Sequence, residues 1–176
     1  MKKIVLALFL VTAFACKSDK KETKKETPAT SVDQVEKESI KITFNAVIPK
    51  DDTFSLQFKK EDGKWYPKKG IEVSVIGSDQ PQDIVFNLPE NTYPTGFLFL
   101  VGKNNKENVV LNTASFDFED NTFFISKENF FQFFNPNRFI DFNKADNSYK
   151  LKDEEKARPF FNSRNLLIQR LEEKLY

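Results

Sequence analysis

The chain has 176 residues, of which 27 are Lys or Arg, 26 are Asp or Glu and none is His. That length suits one ordinary domain with additions, and a formal charge of +1 lacks the basic excess that a nucleic-acid binder needs to neutralise phosphates. Without imidazole there is no Ser-His-Asp or Cys-His catalysis and no His-containing zinc site, and the single Cys16 excludes intrachain disulfides and Cys-rich metal clusters.

Met1-Lys2-Lys3 forms a short basic start, and Ile4 to Phe14 is an uncharged, mostly apolar run of eleven residues. A bilayer core needs about 20 apolar residues, so the run is too short to span one and suits the apolar region of a signal peptide. Ala13 and Ala15 flank Phe14 in the small-residue pattern of a cleavage site, and Cys16 follows. Residues 1–15 are therefore expected to be a signal peptide. With Lys2 and Lys3 gone, 25 basic residues would face 26 acidic ones. The layout resembles a bacterial lipoprotein signal, and the charged stretch directly behind Cys16 is similar to the surface-export signal of Bacteroidota lipoproteins. That resemblance implies that Cys16 becomes the first mature residue and carries palmitate-type acyl chains, a stable membrane anchor when two or three are attached. Cleavage after Ala15 without acylation is the alternative. Lys17, standing where inner-membrane retention signals carry Asp, points to the outer membrane, with the periplasmic or cell-surface face left open. Lys17 to Val32 has no aromatic residue and little to bury, so 16–32 is expected to be a disordered tether. Its lysines serve either as contacts to anionic headgroups or as a solvated spacer.

The body opens with strands. Ile40, Ile42, Phe44, Ala46 and Ile48 alternate, with Lys41, Thr43 and Asn45 between them, the period of a strand with one wet face. Phe54, Leu56 and Phe58 resume the alternation, and Asp62-Gly63 marks a tight turn. Ile71, Val73 and Val75 form a third set, and Ile84, Phe86 and Leu88 a fourth. Phe97 to Val101 is apolar on both faces, as in a central buried strand. Val109 to Phe118 supplies one or two more. The expected fold is mainly β, an antiparallel sandwich of six or seven strands over residues 33–122.

Beyond it, residues 123–176 are expected to form a helix, a hairpin and a second helix packed on the sandwich. Ser126 caps a short helix carrying Phe130, Phe131, Phe133 and Phe134, which Asn135-Pro136 stops. Arg138 to Phe142 and Ser148 to Lys152 read as the hairpin. Pro159 to Tyr176 reads as a C-terminal amphipathic helix. Phenylalanine is abundant, at 20 of 176 residues. Its rings either fill the core or leave the 130–134 helix as a docking patch for an envelope protein partner.

Catalysis would rest on carboxylates alone. Asp51, Asp52, Asp79, Asp83, Asp117, Glu119 and Asp120 are available, and their spacing selects no pair. Asp117, Glu119, Asp120 and Asn121 offer oxygen ligands for calcium but lack the glycine and terminal glutamate of an EF-hand loop, so a plain turn is expected. None of the five glycines is spaced as a phosphate loop. No catalytic residue, cofactor, metal site or nucleic-acid partner is expected.

Binding has more to draw on. Trp65 is the only tryptophan, and Tyr66 follows it just after the Asp62-Gly63 turn. Neighbours in a strand point to opposite faces, so one ring can enter the core while the other stands free. An exposed ring can stack on the C–H face of a sugar while polar neighbours bond its hydroxyls, and Lys64, Lys68 and Lys69 would favour an acidic glycan. Alternatively, Trp65 packs in the core beside Ile71 and Tyr66 merely lies on the surface. Asp79, Gln80, Gln82 and Asp83 around Pro81 form a second candidate, which a proline-pinned turn also explains. Tyr93, beside Pro94, is a third. Residues 40–118 resemble, in strand rhythm and in the stretch GSDQPQDIVFNLP, the carbohydrate-binding β-sandwich modules of Bacteroidota envelope proteins. The expectation is a lipid-anchored, non-catalytic module with a glycan ligand. An accessory subunit docking through the Phe-rich or C-terminal helix is the alternative, and a carboxylate glycosidase the third.

Overall fold

The computed structural model describes residues 39–106, 108–154 and 158–175. The expected signal peptide, Cys16 and tether lie outside them.

The alternating segments become strands whose apolar members face one another across two sheets. Strand β1 (Lys41–Ile48) buries Ile42, Phe44, Ala46 and Ile48, and β2 (Asp52–Lys59) buries Phe54, Leu56 and Phe58. Then follow β3 (Trp65–Val75), β4 (Ser78–Asn87), β5 (Gly96–Leu100), β6 (Val109–Phe118) and β7 (Asn121–Ile125). After a single 3-10 turn come α1 (Phe130–Phe133), β8 (Phe134–Pro136), β9 (Ile140–Asn143), β10 (Ser148–Leu151), β11 (Phe160–Ser163) and α2 (Asn165–Lys174). One sheet runs β4-β1-β6-β10-β9 with β7 also on β6, and the other runs β3-β2-β5-β11-β8, every pair antiparallel. The mainly β sandwich expected from the alternation is present. Phe97 and Phe99 of β5 are wholly buried on one face, whereas Leu98 and Leu100 on the other are only half-buried, so the strand is not enclosed on both sides as its apolar run predicts. No helix among the described residues is long and apolar enough to cross a membrane.

Phenylalanine rings fill the space between the sheets. Phe44 and Phe99 stack at 4.1 Å between ring centres and 7° between planes, and Phe54, Phe86, Phe134 and Phe161 surround them. Each such ring removes on the order of 150–250 Å² from water, which offsets the shortage of leucine.

Three expectations for the C-terminal third need correction. Residues 123–176 are not an extension packed on a finished sandwich, because β9 and β10 join one sheet and β8 and β11 the other. Phe160 and Phe161, expected in the last helix, instead pair with Leu100 and Phe99 of β5, and the helix begins only at Asn165. The third concerns the Phe-rich segment. Phe130, Phe133 and Phe134 are buried, Phe134 edge-on to Phe44 and Phe133 edge-on to Phe123. Half-buried Phe131 stacks on Phe142 and lies under the Lys144 ammonium, 3.7 Å from its ring centre, and the Arg164 guanidinium at 4.8 Å. Rings shared among core neighbours leave no exposed Phe130–Phe134 patch for a partner.

The connections divide between two ends of the sandwich. Turns 49–51 and 76–77 and loop 101–106 lie at one end. There the buried Asp52 carboxylate accepts backbone N–H groups from Thr53, Asn104 and Asn105 and the Asn105 side-chain amide, at 2.9–3.2 Å. Gly102 is required beside it, since a Cβ there would stand 1.8 Å from Asp52 Oδ1. The turn 60–64 and loop 88–95 lie at the other end, where the candidate site is found.

Candidate functional site

The β2–β3 turn is tight because its short polar residues bond their own backbone. Lys60 donates its N–H to the Lys64 carbonyl and accepts from the N–H of Gly63, whose φ of +78° suits glycine. Asp62 accepts the Lys64 N–H at 2.9 Å and lies 3.2 Å from the Lys64 ammonium. The backbone N–H, then the ammonium, hold the Asp62 carboxyl below the usual carboxylate range.

Loop 88–95 packs beside this turn and is fastened to it. Thr95 donates its N–H to the Lys59 carbonyl at 2.8 Å and its hydroxyl to the Lys60 carbonyl at 3.2 Å. Asn91 holds a φ of +54°, a left-handed conformation that Asn tolerates better than most side chains.

Between turn and loop lies a cleft of about 470 Å³. Buried Phe58 is part of its lining, with Tyr66 on the turn side and Tyr93 on the loop side. Each tyrosine is 45% exposed. Tyr66 is braced edge-on by Phe58 at 5.5 Å, and Tyr93 by Phe118 at 6.5 Å. Lys60, Glu61, Asp62, Glu90, Asn91 and Thr92 complete the lining with side chains able to bond hydroxyls or charged groups. Fixed aromatic faces among convergent polar groups suit a small polar ligand with an apolar side.

The sequence candidates divide around this cleft. Tyr66 and Tyr93 are brought together in it. Trp65 is 37% exposed, so it does not pack in the core, but it lies on the opposite face of β3 from Tyr66. It pairs with Lys59 and reaches over Gly96, where a Cβ would meet the indole at 3.5 Å. Trp65 and Tyr66 therefore form no shared platform. Asp79, Gln80, Gln82 and Asp83 do not form a loop. They lie in β4, an edge strand, where Pro81 is tolerated. Asp83 stands four residues from the strand's cleft end, about 13 Å at strand rise, and accepts from the Asn45 amide. Gln82 bonds the Ile76 carbonyl.

Several acids considered for catalysis hold structural positions. Asp51 accepts the Gly77 N–H, and Asp52 secures loop 101–106. Asp117 lies 3.4 Å from the Lys41 ammonium and accepts the Thr122 hydroxyl. Glu119 and Asp120 form the β6–β7 turn. Among the described residues no group of three or more potential ligands could hold a metal ion.

Sequence reasoning missed Lys60, Glu61, Glu90 and the Thr95 tie. Only the Asp62-Gly63 and Pro89 turn signals hinted at them, and neither says that the two turns share one end. No protein-family model, curated protein or solved structure matches the chain.

Proposed function

We propose that this protein is a lipid-anchored envelope lipoprotein whose β-sandwich binds carbohydrate, without catalysis, in the cleft between Tyr66 and Tyr93. One observation carries the reading: two half-exposed, braced tyrosine rings line the same polar cleft. A pyranose ring offers an apolar C–H face to such rings and hydroxyls to Asn91, Thr92 and the carboxylates. The hydrogen bonds from Thr95 fix turn and loop before the ligand arrives, which lowers the ordering cost of binding. Anchoring through Cys16 rests on the apolar run, the small-residue cleavage pattern and the lone cysteine after it.

A glycan array probed with the full chain in mild detergent tests binding, and chromatography of any bound oligosaccharide after incubation tests catalysis. At least one saccharide class should be retained and recovered at full length. An empty array ends the reading, and shortened products would replace it with a carboxylate glycosidase.

A further inference from the structure

The same cleft carries a charge and an occupant that together select among saccharides, a selection that rests on carbohydrate being the ligand. The Lys60 ammonium sits over the Tyr66 ring, 4.2 Å from its centre. One face of that ring is thus already taken by a cation from the protein itself. Around it, Glu61, Asp62 and Glu90 share the lining with Lys60, and Lys64 on the same turn pairs with Asp62, which leaves three carboxylates against two ammonium groups. Lys68 and Lys69, which from sequence would favour an acidic glycan, do not line the cleft. They belong to a bulge in β3 whose Pro67 and Lys68 carbonyls bind the buried Gln57 amide.

We infer that the cleft selects a cationic amino sugar, and that Lys60 is an internal stand-in which the sugar ammonium displaces from Tyr66. The ligand's ammonium gains the ring face and the Glu61 carboxylate beside it. An acidic sugar meets like charge, and an N-acetylated one offers no charge at all. Displaced Lys60 still repels the incoming cation, which keeps binding weaker than the site allows.

Three tetrasaccharides of similar size separate the cases by calorimetry on the full chain at low salt and mildly acidic pH: chitosan, its fully N-acetylated counterpart and galacturonan. Chitosan is expected to bind most tightly and to weaken with added salt. Lys60→Ala is expected to tighten it by about two- to fivefold, the scale of one exposed cation–π contact. Glu61→Gln is expected to weaken chitosan severalfold more than the N-acetylated oligomer. Circular dichroism of each variant confirms that the fold is retained. Equal or tighter binding of the N-acetylated or acidic oligomer, or weaker chitosan binding in Lys60→Ala, overturns the inference and leaves the carbohydrate reading standing. No binding of any of the three, together with an empty array, removes both.

Discussion

Replacing Tyr149 by Phe probes the core at the end opposite the cleft. The Tyr149 ring in β10 is buried, edge-on to Phe161 at 5.7 Å, and its hydroxyl has no hydrogen-bond partner among the described residues. Burial, and then the charge of Asp52, raise its pKa well above the ordinary 10. Leaving a buried hydroxyl unpaired costs about 1–3 kcal/mol, and deleting it opens only a small void. Tyr149→Phe is therefore expected to leave stability at neutral pH unchanged or to raise it by about 1 kcal/mol. The alkaline limb has a definite sign. Above pH 10 the unfolded chain releases the Tyr149 proton while the folded chain keeps it. The unfolded state then binds fewer protons, and stability falls with rising pH by up to about 1.4 kcal/mol per unit. The Phe variant lacks that component. Urea denaturation of both proteins at neutral pH and across an alkaline series measures both effects. A neutral-pH loss greater than about 1 kcal/mol, or parallel alkaline profiles, would refute the reasoning.

Other substitutions test the remaining structure. Gly102→Ala places a Cβ 1.8 Å from Asp52 Oδ1. The clash forces that carboxylate off its donors, and urea titration should show a loss on the order of 2–4 kcal/mol. Phe99→Ala empties the stack with Phe44 and Phe54 and should cost about 3–5 kcal/mol. Phe124→Ala, at a ring 59% exposed on β7, should stay within about 0.5 kcal/mol in the same measurement. Cys16→Ser should abolish palmitate labelling and move the protein from the membrane to the soluble fraction. Unchanged sedimentation with membranes would contradict the anchor.

The strands with one wet face were legible, because Ile42, Phe44 and Ala46, or Phe54, Leu56 and Phe58, alternate without interruption. The stretch Trp65 to Gly70 was not. Pro67, Lys68, Lys69 and Gly70 break the alternation, and their strand exists because the bulge satisfies Gln57, a residue of the neighbouring strand. Pro81 disguised β4 as a loop, since sequence does not reveal that the strand is an edge. Phe160 and Phe161 satisfy helical spacing as readily as strand spacing, and only the free edge of β5 decides between them. The cleft was half visible. Tyr66 and Tyr93 were candidates for separate reasons, but they belong to segments attached to different sheets. Only the crossing of loop 88–95 between those sheets brings them together. Trp65 attracted attention through rarity and adjacency, yet strand alternation sends it to the other face.

The most direct measurement is a calorimetric titration of the tightest-binding oligosaccharide into the full chain and into Tyr66→Ala, Tyr93→Ala and Trp65→Ala. Both cleft variants should lose roughly tenfold or more in affinity, about 1.4 kcal/mol, while Trp65→Ala binds like the parent. Undiminished binding by the two cleft variants, or loss of binding in Trp65→Ala alone, would place the ligand elsewhere and contradict the account.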